Sequence, residues 1–473
     1  MMLYRWILCA ALLFCLVMPG LTRAAPDALL RGQLELVWGD AAPDAIDRTS
    51  PLLVTLVTDD GRRIALDPAR ARRAAGDLYR LQGKRIAVMP AQLLADKTQP
   101  ELLAVESMVP IDAAIDAMNA PNAVIGTQAW VSILCKFSDN VTEPKDLTYF
   151  GNMLSNQSGR LDDYWRTVSY GKVNVAGSMA YGWFVLPHPR AFYIPANGSA
   201  NLSQLFSDCT AAADSTVNFS LFVGINQMFN DNLDCCAWGG SRYTTLDGKT
   251  GSWRVTWEPP WGYQNEAPLA HEMGHGFGLP HANNSDLDTD PYDNPWDVMS
   301  DAWHNAASDT TYGAQPKHIN VYDRDKLGWI DAARKLVISL PGNYPNLQLD
   351  RASLIGSTHL QMIQVSLPGA ATTHYYVIEA RKKIAASYES NLAGDAVIIH
   401  EVDQTRAEPS WSVDTDIPPA NVSNNEGSMF KVGESWNAPA GAFSLHVDSS
   451  TTDGFVLSLT RGAEDLLFRN GFE

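Results

Sequence analysis

After position 24 no hydrophobic run reaches the ~20 residues that a membrane-spanning helix needs, so the body of the chain offers no bilayer anchor. Positive charge is the scarcer sign: 35 Lys and Arg stand against 53 Asp and Glu, a formal net charge of −18 over 473 residues. Nucleic acid and anionic lipid both require a basic face, so neither is the expected partner. The acidity selects no substrate by itself. Cysteine is sparse as well, and none lies between Ala25 and Leu134, so that stretch cannot supply a thiolate to a metal. There is no long internal repeat and no low-complexity tract.

The first residues read as a secretory leader. Met1 to Arg5 carries one positive charge, Trp6 to Met18 is almost purely apolar, and Thr22-Arg23-Ala24 places small residues where a signal peptidase reads, so cleavage is expected near Ala24. The mature chain is then exported, extracellular or periplasmic. It keeps Cys135, Cys209, Cys235 and Cys236 in an oxidising compartment. Four cysteines allow three pairings. The expectation is a bond from Cys209 to Cys235 or Cys236, with no bond between the two neighbours; for Cys135, in the apolar run VSILCKF, a buried thiol is the alternative.

The pattern along the chain is multidomain α+β. Over 25–112, LELVW, LLVTLV, RIAV and LLAVESM are rich in branched residues and separated by Asp59-Asp60-Gly61 and Gln82-Gly83 turns, which predicts a small all-β module or barrel. It stands where a secreted protease keeps its propeptide, and a structural spacer fits the same pattern. A stretch with small residues and a proline, 113–125, serves as linker. From 126 to 332 strand-like runs at 129–137 and 221–227 alternate with a helix-like segment within 147–168, an α/β arrangement. From 333 to 461 short strands dominate (VISL, HYYVIEA, AVIIHEV, FVLSLT), a β-sandwich-like pattern, followed by a tail over 462–473.

The chemistry is concentrated in HEMGHGFGLPH, residues 271–281. Asn265 is placed to cap a helix whose first turn holds Glu266 and Pro268. His271 and His275 are four apart and so project from one helix face, one turn apart, as two ligands of one ion must. Gly278 ends the helix through a left-handed turn, Pro280 prevents its resumption, and His281 is brought round as a third nitrogen. Three protein ligands leave zinc a fourth position for water, the pattern of a catalytic site. Glu272, beside the first ligand, is the natural general base. A capped helix with solvated histidines is the competing explanation. At this chain's 34 glycines and 10 histidines, a random Gly278 with His281 is roughly a one in several hundred event, which weighs against it.

These residues resemble the metzincin zinc endopeptidases, whose pattern HExxHxxGxxH is followed by a methionine turn. WDVMSD supplies that turn with Met299, implied to lie beneath the metal as an apolar floor. Within the clan HGFGLPHA, the DVM turn, FSDN at 137–140, YWRTVSYGKVNVAG at 164–177 and KLGWI at 326–330 are most similar to the gametolysin family, with the immune-inhibitor secreted proteases second. The resemblance covers about 126–332 and implies one catalytic Zn2+ on His271, His275 and His281, with Glu272 as base and a polypeptide substrate. It also implies an upstream edge strand for that substrate, for which SWRVTWEPP, 252–260, is the candidate. No tyrosine stands two residues after Met299, where some metzincins place one.

The run NNSDLDTDPYDNPWD puts Asp286, Asp288 and Asp290 at alternate positions, as a Ca2+ loop would, but Pro291 and Asp297 stand where such a loop needs glycine and glutamate. A solvated loop is expected instead. His188, His304, His318, His374 and His400 have no partner spacing and are expected to be structural. Two other functions fit parts of the pattern: an adhesin or wall-binding protein carrying a protease-like domain, and a different zinc hydrolase, such as an aminopeptidase with a distant Glu as third ligand.

Overall fold

The computed structural model describes residues 29–462 except 46–47, 49, 92–101, 112–122, 197, 286–289 and 417–424. The expected leader, most of the linker and the tail lie outside the described residues. Among the described residues no helix is long and apolar enough to cross a membrane.

The expected N-terminal module contains five strands: β1 (Leu30–Ala41), β2 (Leu52–Thr58), β3 (Arg63–Leu66), β4 (Arg85–Pro90) and β5 (Val105–Pro110). It is not all-β. Helix α1 (Pro68–Ala75) is capped by Asp67, whose side chain accepts from the Arg70 amide, and ends at Gly76. Only Ala71 of α1 is buried, so an eight-residue helix with one short contact face leaves little apolar period to read in PARARRAA. Nor is the module a closed barrel. In β1, alternation sends Leu34, Leu36 and Trp38 into a core with Leu56, Leu78 and Ile86, while the strand itself joins a larger sheet.

That sheet has ten strands, five of them from the next segment: β6 (Trp130–Lys136), β7 (Met179–Val185), β8 (Gly224–Phe229), β9 (Cys236–Leu246) and β10 (Lys249–Glu258). The order is β3-β2-β1-β9-β10-β8-β6-β7, with β4 and β5 attached beside β1. Strands β7, β6, β8 and β10 run parallel, and β9 and β1 each run antiparallel to their neighbour. Two cores flank it. On one face Trp130 and Leu134 pack with α2 (Leu147–Met153), α3 (Leu161–Val168) and α5 (Glu266–Gly276). On the other, Val131, Ile133 and Cys135 pack against α4 (Leu202–Ala213). Burial on both faces explains why β6 reads as an unbroken apolar run.

The same packing places Cys135 of β6 against Cys209 of α4, and these two form a disulfide, while Cys235 and Cys236 bond each other. Both pairings differ from expectation. Spacing could not reveal that α4 lies over β6, and the neighbouring cysteines sit in a bend entering β9, where the backbone accommodates the adjacent link.

The C-terminal segment forms two sheets around one core. One has the order Ala282–Asn284, Ser410–Ser412, Ala396–Asp403, His374–Arg381, Met362–Ser366, Lys335–Ile338. The other contains Gly342–Asp350, Gly454–Arg461, Phe443–Ser450 and Ser435–Asn437. The sandwich-like arrangement is therefore present, with one consequence for the site: its first sheet takes a strand from the residues directly after His281.

Candidate metal centre

Helix α5 packs against β9 and β10, and all eleven of its residues are buried. Two glycines inside it each cost roughly 1 kcal/mol of helix propensity against alanine, and both mark close contacts. A Cβ at Gly274 would stand 2.5 Å from Met299 Sδ, and one at Gly276 would stand 2.7 Å from the Trp130 ring. The strand makes the same concession: a Cβ on Gly239 of β9 would meet the Glu272 carbonyl at 2.5 Å and its carboxylate at 2.6 Å. Gly274→Ala is expected to destabilise the protein by about 1–3 kcal/mol through overpacking against Met299, read as a lower urea midpoint at unchanged slope.

Asn265 occupies the N-cap position but makes no capping bond. Its side-chain oxygen instead accepts from Ala314 N at 3.0 Å, so a tertiary contact outcompeted the local one. At the other end Gly278 adopts φ 93°, its amide bonds His275 O at 3.0 Å and the Leu279 amide reaches Gly274 O at 3.1 Å. This turn reverses the chain as expected and delivers His281.

The three imidazoles converge. His281 Nε2 lies 3.1 Å from both His271 Nε2 and His275 Nε2. The opposite nitrogens are committed: His271 Nδ1 donates to Val298 O at 2.6 Å and His275 Nδ1 to Leu279 O at 2.7 Å. Carbonyl acceptors fix the proton on Nδ1, which leaves the Nε2 lone pairs of these two rings facing inward. Lone pairs so close repel unless a cation lies between them. Zn–N bonds of about 2.0–2.1 Å at tetrahedral angles put neighbouring ligand nitrogens about 3.3 Å apart, close to the spacing found. The donor set therefore fits a divalent ion.

A fourth donor is present that the motif does not contain. Asp40, near the end of β1, sets Oδ1 2.6 Å from His281 Nε2 and 3.2 Å from His271 Nε2, with Oδ2 3.3 Å from His275 Nε2. Asp40, His271, His275 and His281 are all buried and form a group able to hold a metal ion. The Tyr292 hydroxyl donates to Asp40 Oδ1 at 2.9 Å. Burial would raise the Asp40 carboxyl, but His281 and His271 outweigh it and hold it well below the usual carboxylate range. Burial drives His275 down to about 3, keeping it neutral. For His271 burial acts the same way, yet Asp40 reverses the net shift to upward.

Glu272 is buried beside the cluster, with Oε2 lacking a hydrogen-bond partner. Burial first, then the Asp40 and Glu258 carboxylates, push its acid well above the normal range. Glu258, at the end of β10, is also fully buried with both oxygens unpartnered. A recess next to Glu272 is lined by Trp261, Pro268, Ala302 and Trp303 together with Pro43 and Arg48.

Met299 is completely buried in the core that contains α5. Its loop is stiff: Asp297 Oδ1 accepts from the Met299 amide at 2.8 Å, and the Ala282 amide bonds Met299 O at 3.0 Å. Tyrosine is indeed absent two residues later; Asp301 is there, paired with buried Lys317 at 3.1 Å. Tyr292 instead reaches the cluster, its ring 5.6 Å from that of His281.

Two expectations change. Residues 252–260 do not form the sheet edge: β10 lies between β8 and β9, and the outermost strands of its segment are β9 and β7. Nor is the acidic run the solvated loop expected, since among its described residues 291–297 are all buried. Asp286 and Asp288 lie outside the described residues, Asp290 pairs with Arg48 at 3.2 Å, and Asp297 turns inward beneath Met299. Among the described residues the other converging group is Asp234, Cys235 and Cys236, whose sulfurs are bonded to each other.

Asp40, Tyr292 and Glu258 escaped the sequence reading. For Asp40 a signal existed, because it continues the buried phase Leu34, Leu36, Trp38 as a charge on an otherwise apolar strand face. No protein-family model matches the chain, and neither a curated protein nor a solved structure matches it.

Proposed function

We propose that the chain is an exported zinc endopeptidase of metzincin type, most similar to the gametolysin family, with residues 126–332 as its catalytic domain. The observation that carries this reading is the convergence of three buried Nε2 atoms with a buried carboxyl, Glu272, on the same helix. His271, His275 and His281 would hold Zn2+, which supplies Lewis acidity to a water molecule and to the scissile carbonyl. Glu272 takes the proton of that water and passes it to the leaving amine nitrogen. Tyr292 offers a hydroxyl donor to the developing oxyanion from the place where it now meets Asp40. An extended peptide pairs with β9, whose backbone recognises polypeptide of many sequences.

Two disulfides accord with an oxidising, exported setting. An aminopeptidase with a distant glutamate ligand is disfavoured, because the third nitrogen is that of His281. An adhesin that merely presents a protease-like domain is disfavoured too, since the C-terminal sheet holds the strand that follows His281. The test is metal analysis of the purified chain. About one zinc per chain is expected, lost on His281→Ala, together with internal cleavage of a peptide library by the chain in which Asp40 is replaced by Ala, stopped by a chelator. A chain that binds no zinc refutes the reading.

A further inference from the structure

We propose that β1 is a built-in inhibitor of the site, filling the substrate strand's place on β9 while Asp40 takes the fourth position at the metal. This rests on the zinc-peptidase reading above. Residues 37–41 pair antiparallel with 236–240, with Asp40 opposite Ala237 and Ala41 opposite Cys236. The backbone edge that an extended peptide must read is thus already occupied.

Strand alternation turns Trp38 and Asp40 to the same face, toward α5. The Trp38 ring stacks on His275, with centroids 4.7 Å apart and planes 6° from parallel, and Asp40 reaches all three Nε2 atoms. Polar contacts lock the strand end. Tyr292 Oη donates to Asp40 and accepts from the Ala41 amide at 3.4 Å. The Ser50 hydroxyl bonds Gly39 O at 3.0 Å and lies 3.2 Å from His281 Nδ1. Gln82 Nε2 donates to His275 O at 3.1 Å.

A carboxylate 6 % exposed among rings whose lone pairs face it is costly without a cation to bind it. With a divalent ion held by the three nitrogens, the same carboxylate completes four donors, the closed arrangement that leaves no position for water. The stretch from Ala25 to Leu134 contains no cysteine, so a carboxylate is the anionic ligand this module has to offer. The module's separate core suits a unit that can leave as a whole. The chain as folded is therefore latent, and withdrawal of Gly39–Ala41 opens both the metal and the β9 edge.

The test compares the full chain with Asp40→Ala and with the near-isosteric Asp40→Asn, each loaded with zinc or with cobalt as a spectroscopic probe. All three should hold one metal per chain. A tethered strand competes at an effective concentration in the millimolar range or above, so acetohydroxamate should bind the unaltered chain at least roughly 100-fold more weakly than Asp40→Ala. The visible spectrum of the cobalt form should shift on replacing Asp40, and respond to the hydroxamate only in the variants. Asp40→Asn guards against a folding defect. Equal hydroxamate affinity and identical cobalt spectra in all three chains overturn the inhibitor while leaving the zinc site standing. Failure of every chain to bind metal removes the zinc-peptidase reading itself.

Discussion

Replacing Glu272 by Ala in the Asp40→Ala chain, whose strand end has lost its hold on the centre and yields β9 to a peptide, is expected to lower kcat/KM for peptide hydrolysis by about 10²–10⁴-fold, the range that a positioned acid–base group contributes. Zinc content should stay at one per chain, since the three nitrogens are fixed by partners other than Glu272: Val298 O, Leu279 O and Ser50 Oγ. Glutamine at the same place keeps the shape and the fit against Gly239, so Glu272→Gln separates lost proton transfer from lost packing. Both variants should lose turnover with nearly unchanged KM, because Glu272 moves a proton and does not hold the peptide. Turnover within a few-fold of the parent, with zinc retained, would remove Glu272 from its role.

The site was readable where its geometry is local. A ligand pair at i and i+4, a glycine with φ 93° and a proline that stops the helix specify His271, His275 and His281 within eleven residues. Met299 was singled out only through the resemblance; what the structure adds is its packing on Gly274, where the helix has no side chain. What remained hidden depends on long-range pairing. Asp40 is 231 positions before His271, and only the β1–β9 register brings it in. Trp253, Val255 and Trp257 share a core with β9 residues, so the 252–260 run looked like an edge although it is interior; a hairpin does not announce which arm faces outward. Disulfide partners were lost for the same reason, whereas helix α1 was lost locally, because its one buried residue leaves no apolar period. The β-sandwich pattern was legible in strand composition, but its intrusion into the centre was not.

That intrusion makes Arg381→Met the second large expected effect. Arg381, in the strand His374–Arg381, is fully buried, and pairs with Glu389 at 2.8 Å and Glu379 at 3.2 Å. Its Nη2 also donates to Trp296 O at 2.7 Å, two residues before the carbonyl of Val298 that orients His271. On the far side of the centre, Ala282–Asn284 pair in parallel with Ser410–Ser412 directly after His281. The six-stranded C-terminal sheet thus grips both ends of the metal loop. Methionine removes the cation and leaves two buried carboxylates, Glu379 with His400 at 2.9 Å and Glu389 with His318 at 3.7 Å, without their guanidinium. Breaking a buried pair in this way costs about 3–5 kcal/mol, so the urea midpoint should fall by an amount corresponding to that loss. Zinc should also be drawn off by a competing chelator at lower concentration, because the Trp296–Met299 loop loses its anchor. A control separates the two effects: Lys382→Met, on the adjacent residue, bonds Asp395 and Ser450 instead and should leave chelator competition unchanged. If Arg381→Met lowers stability but not zinc retention, the C-terminal sheets brace the fold without tuning the centre.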